Sequence, residues 1–509
     1  MVTNFPVKMK SVFFASFALS ILCSLNGVNA QEAYELDLQK SIEIAKQKSH
    51  QMLILNQVLA QAGHQLRAAT SSLKTHVDLN MTIPNYSETI RQWEDSTGIT
   101  YFPVQQLQTN GSLVINQPLP TDGRLYVSTG LDNVHDYYKN ERLMRMNLLL
   151  GFYQPLSAFY AYNSIRSEFK KAQLNYELSL RTLKRGELDL IYETSEAFYE
   201  LVATKERMGI AAQVMKRQQE AYEIAQNKYD AGLIREVEAL QMEVDLGEAN
   251  NEHDLAEVAY QSQMNYFKQK LGLSLQDYVV VVSDMSYSVI EVDEEMAVTH
   301  GLSNRMELRE NEIQIELSKL ELKRIKSEGL VKGDITGYYD LIGTSQQILP
   351  YTVGESLGDS WDQLQGRRGN FGVALRISVP IFDWGENRSL VRAAESGLET
   401  DRYRYDEEKI NIEREIRNTV KQFHSSLRRL QLLEKNVQLA EKSFNISRQR
   451  FSNGDINSEA LAQERIRLNA AYQSHLDSYI TYKLLIADIM RKSFFDFENG
   501  RPVVQDYDY

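Results

Sequence analysis

The stretch Lys228-Tyr229-Asp230-Ala231-Gly232-Leu233-Ile234 returns in altered form as Arg450-Phe451-Ser452-Asn453-Gly454-Asp455-Ile456, with a basic residue, an aromatic, glycine and isoleucine at matching places. Outward from these turns the match continues. Gln154-Pro155-Leu156 stands ahead of the first and Val379-Pro380-Ile381 ahead of the second. The prolines lie 225 residues apart and the glycines 222, so the proline-to-glycine interval is 77 residues in one copy and 74 in the other. A spacing kept over that length marks a duplicated unit. The chain has nine prolines and none falls inside either interval, where Gln, Glu, Ala, Leu, Lys and Arg predict long helices. A helix filling most of one interval is about 100 Å long at ~1.5 Å per residue, too long for a compact domain.

The packing face of these helices is narrow. In the second copy Ile416, Val420, Phe423, Leu427, Leu430, Leu433, Val437, Ala440 and Phe444 recur at spacings of three and four, a coiled-coil seam. In the first copy Leu188, Ile191, Ser195, Phe198 and Val202 keep the same period. Ordinary packing accounts for each residue singly; the functional signal is the length and the duplication.

Ahead of each long helix, strict alternation predicts strands. Val77, Leu79, Met81 and Ile83 form one apolar face, and Met146, Leu148, Leu150 and Phe152 a second. Phe371, Val373, Leu375, Ile377 and Val379 form a third, with a weaker fourth in Ile335, Tyr339 and Leu341. Strands of about 9 to 11 residues with one apolar and one polar face suit a membrane barrel, and equally a soluble sandwich. The long polar helices favour the barrel, and four strands cannot close one, so several protomers must share it. Residues 84–145 and 342–370 are expected to be surface loops, the first with an extra hairpin near 109–132 (Leu125, Val127, Thr129 and Leu131 alternating) whose place in the barrel is left open.

At the amino terminus Lys8 and Lys10 precede the apolar run Val12–Leu22, and Val28-Asn29-Ala30 offers a cleavage site. This predicts a secretory signal peptide over 1–30 and an exported protein. The one cysteine, Cys23, lies inside it. Leu22 before it departs from the small residue that lipid attachment prefers, which leaves lipidation as an alternative to simple removal. Without Lys8 and Lys10 the formal charge of −13 becomes −15, which argues against nucleic acid as a partner. No His-Glu-x-x-His, Gly-x-Ser-x-Gly, phosphate-cradling glycine loop or nucleophilic cysteine is present, and the eight histidines, His253 and His424 among them, show no metal-ligand spacing. No enzyme activity, metal or cofactor is expected.

Together with the opening Tyr34-Glu35-Leu36-Asp37-Leu38-Gln39-Lys40-Ser41-Ile42-Glu43-Ile44-Ala45, which is similar to a first helix, the proline landmarks and paired aromatic-x-x-Gly turns resemble the TolC-like outer membrane efflux protein family over nearly the whole mature chain. Lys48-Ser49-His50 departs from the Asn-Asn-Pro type sequence common there. The resemblance implies a mainly α fold with a small β part: a homotrimer with four strands per protomer in a 12-stranded outer membrane β-barrel, continued by a periplasmic α-helical coiled-coil barrel. It implies a passive channel of a tripartite efflux or type I secretion system, working with a periplasmic adaptor protein and an inner membrane pump. Residues 31–275 and 301–494 would be the repeats, 276–300 a connector and 495–509 a tail. An exported coiled-coil scaffold or adhesin, and a periplasmic adaptor, are the competing readings.

The turns are the expected sites. Gly232 and Gly454 each read as a left-handed helix cap, and such a tip presents Leu233, Ile234 and Ile456 as an apolar binding surface. By resemblance, Tyr229, Gly232, Leu233, Ile234, Phe451, Gly454, Asp455 and Ile456 form the adaptor-contact tips. Acids follow both turns, Glu236, Glu238, Glu243 and Asp245 in one copy and Asp455, Glu459 and Glu464 in the other. Charge at a helix N-terminus and a solvated face explain them locally. In the family such acids line the closed aperture, and Glu238 fits that position. Its equivalent in the second copy is Ala460, and Ile456 stands where a basic residue is common.

Overall fold

The protein is described by a computed structural model over residues 33–503, apart from 97, 283–284 and 349–351. The signal peptide with Cys23, and residues 504–509 of the tail, lie outside the described residues.

Duplication is legible in helix lengths. In the first copy α1 (Leu38–Lys48) has 11 residues, α2 (His50–Ser71) 22, α3 (Ser164–Asp230) 67 and α4 (Glu236–Leu271) 36. In the second, α5 (Glu294–Asn304) has 11, α6 (Met306–Glu328) 23, α8 (Glu386–Asn453) 68 and α9 (Ser458–Ser493) 36. Between α6 and α8 lies α7 (Val353–Gly366). Each long helix is flanked by two shorter ones: α2 and α4 pack along α3, and α6 and α9 along α8. The second repeat opens at Glu294, inside the span expected to be connector.

The seams are buried where the periodicity put them. Ile416, Val420, Phe423 and Leu430 pack with Tyr479 and Tyr482 of α9. Leu190, Phe198, Leu201 and Val202 pack with Phe267 and Leu271 of α4 and with Leu36 and Val281. The last two belong to strands missed in the sequence, β1 (Ala33–Leu36) and β6 (Tyr278–Val281), which pair in parallel. The opening segment is therefore strand before helix: Tyr34 to Leu36 are extended and α1 starts only at Leu38, where the Asp37 side chain accepts from Lys40 N. At Lys48-Ser49-His50 the chain breaks between α1 and α2, and Ser49 caps α2 through Met52 N.

Arginine-carboxylate pairs tie the repeats across their polar flanks. Arg309 reaches Glu177 (2.8 Å), Glu312 (3.0 Å) and Glu316 (3.3 Å), and Arg185 reaches Glu310 (2.7 Å). The Arg309 hydrogen bond outweighs burial and holds the Glu177 carboxyl below its ordinary range. Burial opposes ionisation of Glu307, but its bond to Arg305 (2.7 Å) prevails and lowers its pKa as well. Exposed pairs contribute about 0–1 kcal/mol each, whereas burying one large apolar side chain contributes about 1.5–3. The seams therefore supply the stability and the ion pairs the register.

Strands β2 (His76–Asp95), β3 (Gly98–Pro118), β4 (Arg124–Asp136), β5 (Glu141–Pro155), β7 (Lys332–Ile348) and β8 (Asn370–Ser378) form one antiparallel sheet in the order β2-β3-β4-β5-β7-β8. Two expectations are corrected here. The span 84–145 is mostly strand and not loop, and the protomer supplies six strands to the sheet, not four. The hairpin near 109–132 is part of it: β3 pairs β2 from Asn116↔His76 upward and β4 pairs β5 from Arg124↔Tyr153. Its alternation is blurred by Gly111 and Thr129, which interrupt the apolar face. The span 342–370 likewise holds the end of β7 and α7, whose Ser360 Oγ donates to the Met144 carbonyl (3.1 Å). Among the described residues no helix is long and apolar enough to cross a membrane.

Gly272, φ +74°, ends α4 in the left-handed region, and a Cβ there would run into the backbone of Lys48 and Ser49. Gly209 lies in α3 with open space around it. Gly272→Ala is expected to destabilise the protein by more than about 1 kcal/mol, because strain adds to the clash. Gly209→Ala is expected to be neutral or to stabilise by up to about 1 kcal/mol. Thermal unfolding followed by the helical circular dichroism signal checks both.

Candidate functional site

The two turns lie at the same end of the molecule, opposite the sheet. Each closes its helix with the same pair of bonds. Gly232 N donates to Tyr229 O (2.8 Å) and Leu233 N to Lys228 O (2.8 Å), while Gly454 N donates to Phe451 O (3.0 Å) and Asp455 N to Arg450 O (2.9 Å). Gly232 has φ +71° and Gly454 +85°, the left-handed conformation a β-carbon disfavours. The following helices start differently: Asn457 caps α9 by accepting from Ala460 N (3.0 Å), but Arg235 gives α4 no side-chain cap.

The structure divides the tip residues into two groups. Leu233, 73% exposed, with Tyr229, Gly232, Gly454 and Asp455, faces solvent. Phe451, only 5% exposed, packs with Phe444, Leu461 and Leu468, and Ile234 and Ile456 are half-buried. Lys228 lies 4.9 Å over the Phe451 ring and donates to the Phe451 carbonyl (2.6 Å), which ties the first turn to the second. Nearby, burial and then a hydrogen bond to Glu441 push the Tyr472 hydroxyl pKa up, so it stays a neutral donor.

The acids separate likewise. Glu238 is half-buried and bonded to Arg235 (3.2 Å), a cation that the sequence reading had not used. Glu236, Glu243, Asp455 and Glu459 are exposed, and Glu464 bonds Arg467 (2.7 Å) and Ser443 (2.9 Å). Asp245 is buried. It accepts from Gln241 (2.9 Å) and meets Arg465 of α9 at 3.2 Å, and Arg465 also bonds Gln218, which is 3% exposed. This chain of Gln218, Arg465 and Asp245 joins the two hairpins beside a cavity of about 240 Å³ lined by Ala221, Ile224, Met242, Phe444 and Leu461. Sequence reasoning missed it, because Arg465 lies 11 residues beyond Gly454 and its partner sits in the other copy. Among the described residues no cluster of His, Cys, Asp and Glu is set to hold a metal.

A second feature was also missed. Leu233 in the turn, with Val237, Leu240 and Val244 of α4, forms an exposed apolar stripe at spacings of three and four, and Leu255, eleven residues further along the same helix, is followed by Val258. Leu432, Leu439 and Ile446 form another stripe on α8 at spacings of seven. Such spacings are those of coiled-coil seams.

Asp245→Asn is expected to loosen the tip, since it strips the Arg465 guanidinium of its charge partner in a poorly solvated place. Amides of 218–245 and 451–465 are expected to exchange faster with solvent deuterium, while the exposed Glu243→Gln leaves them unchanged. A double-mutant cycle with Arg465→Gln is expected to show a coupling of about 1–3 kcal/mol.

Residues 353–485 match the outer membrane efflux protein family. The whole fold is similar to that of the outer membrane channel CmeC of Campylobacter jejuni, at 14% identity over 92% of this chain and 87% of that one, with a TM-score of 0.67. It is similar as well to the outer membrane protein VceC of Vibrio cholerae (13% identity, 90% and 95% covered, TM-score 0.63). The open state of the Neisseria gonorrhoeae MtrE outer membrane channel matches at 14% identity, 90% and 89% covered, with a TM-score of 0.63. No curated protein matches in sequence.

Proposed function

We propose that the chain is a TolC-like outer membrane efflux protein, on the family match of residues 353–485 and the likeness of the whole fold to outer membrane channels, and that it is the outer membrane duct of a tripartite efflux system, a homotrimer through which an inner membrane pump expels small molecules. The observation that carries this reading is the join between two surfaces of opposite kind. A sheet with one apolar face continues into a helical part in which exposed apolar stripes run down α4 and α8. A second copy covers them: the α4 stripe of one protomer lies against the α8 stripe of the next, and three copies seal a hollow wall. The sheet then stands in the outer membrane and the helices in the periplasm. A duct of this kind conveys cargo without chemistry.

In this reading Tyr229, Leu233 and Asp455 at the exposed tips meet a periplasmic adaptor, with Gly232 and Gly454 holding the turns in shape. Phe451, Ile234 and Ile456 support the tips from beneath. Mass measurement in detergent, together with cell fractionation, is expected to give a trimer in the outer membrane; a water-soluble monomer would overturn the proposal. Gly232→Val and Gly454→Val are expected to cut efflux of the cargo several-fold at matched protein levels, with Gly209→Val, on mid-helix open surface, far milder. Accumulation of a fluorescent substrate in cells measures this. Retention of an exported polypeptide in place of the small molecule would assign the duct to type I secretion.

Glu238 and Arg235 set charge at the narrow end. Three copies of each, with an overall acidic chain, are expected to make the resting pore cation-selective. Glu238→Gln is expected to reduce that selectivity and Arg235→Gln to increase it, read as opposite shifts of the reversal potential in planar bilayers under a salt gradient. Shifts of the same sign, or none, would remove the pair from the aperture.

A further inference from the structure

We propose that the membrane barrel of this protein is built from 18 strands, six from each of three protomers, and that it closes by pairing β8 of one copy with β2 of the next. This rests on the trimeric duct reading and adds the number of strands and the surfaces that join.

The first observation is that the β3-β4 hairpin runs the full height of the sheet. Its turn, Leu119 to Gly123, is pinned where β5 passes into α3. The Gln154 side chain donates to Thr121 O (2.7 Å) and accepts from the Thr121 hydroxyl (2.6 Å). Asn163 donates to Pro120 O (3.0 Å), and the Asp122 carboxylate accepts from Ser164 N and Ile165 N (3.3 Å each) at the start of α3. The residue before Pro155 thus serves to hold this extra hairpin level with the other strands. From there β3 pairs β2, with one register shift between Thr82 and Asn85, and β4 pairs β5 along an unbroken ladder.

The second observation is independent, and concerns side chains. One row of directly paired residues crosses all six strands: Val77, Ile115, Val127, Leu150, Tyr339 and Phe371. Every member is apolar or aromatic. The adjacent row on the other face reads Asp78, Val114, Ser128, Leu149, Asp340 and Asn370, which is mainly polar. A hairpin lying outside the membrane would have no reason to extend the apolar band of its neighbours in register, whereas a strand between lipid and water must.

The third is the pair of open edges. Among the described residues, β2 and β8 each have no partner strand along one side of the backbone, and their apolar residues are among the most exposed, Val373 reaching 79%. Unpaired backbone groups facing lipid are untenable. The two edges run in opposite directions, because six is even, so β8 meets the next β2 antiparallel, as every other pair in the sheet does. At a spacing of about 4.8 Å and a tilt of about 40°, 18 strands give a circumference of about 113 Å. Four helices per protomer at about 9–10 Å between axes give a twelve-helix wall of about 108–120 Å. The strand and helix walls therefore meet at nearly equal girth, where 12 strands would reach only about 75 Å.

The test uses the full chain in its native membrane and after reconstitution. Leu79→Cys is combined in turn with Val373→Cys, Leu375→Cys or Ile377→Cys, which allows for the unknown register between copies. At least one pair is expected to yield disulfide-linked trimers, and the single variants none. Spin labels at Leu113, Ile115 and Val127 are expected to be several-fold more accessible to oxygen than to an aqueous nickel chelate, with the reverse at Ser112 and Ser128. If the protein is trimeric but labels at all five positions contact the aqueous reagent alike, the hairpin lies outside the membrane and the 18-stranded barrel is wrong while the duct stands. A trimer in which none of the three cysteine pairs joins β2 to β8 also overturns it. A monomer without membrane association removes the duct reading itself.

Discussion

A helix of nearly seventy residues has no way to be buried by its own chain except along a stripe, and this limit shapes everything else in the molecule. Where a compact domain gathers apolar side chains into a centre, α3 and α8 lay theirs out along a line. Each line is met by two shorter helices stacked lengthwise, α2 with α4 and α6 with α9, because one partner of matching length would need the chain to cross the full height again. The polar flanks that remain are held in register by arginines such as Arg309, whose planar donors reach three carboxylates at once. What one protomer leaves uncovered is a second set of stripes, and these call for further copies.

In the proposed duct, the sheet obeys a related limit in another solvent. Its apolar face is continuous only when six strands lie side by side, and its outermost strands carry the most exposed apolar residues. Lipid satisfies such a face but does nothing for open backbone edges. Both halves of the protein are thus incomplete as single chains for different reasons, the helices for lack of contact and the strands for lack of hydrogen-bond partners.

Much of this was legible in the sequence. Period and spacing revealed the duplication, the two long helices and the strands at 77–83, 146–152 and 371–379, because each rests on an uninterrupted local pattern. The β3-β4 hairpin was harder to read, since Gly111 and Thr129 break the apolar face where neighbouring strands approach. Strands β1 and β6 were invisible for a plainer reason: four residues each, they exist only because they find one another across more than 240 positions of chain. At the tips, the sequence located the turns through glycine, whose backbone preference acts locally. It could not tell Leu233, which is exposed, from Phe451, which is buried, because both are apolar and next to a glycine cap. The Asp245–Arg465 contact joins two copies of the repeat, so no window of sequence contains it.

The stacking of short helices beside long ones has a mechanical consequence. The first copy changes helices at Ser49 and at Gly272, which lie against each other, and the second does so at Arg305 and near Lys492, where Gly301 packs close to the Lys492 carbonyl. At that level α3 and α8 run on unbroken in each protomer, while α1, α2, α4, α5, α6 and α9 begin or end there. Torsion applied at the tips is therefore resisted below this belt by paired helices and above it by a second, separate set, with single rods linking the two. The wall is built in two storeys, and the floor between them is where it bends at the cost of fewest helical hydrogen bonds.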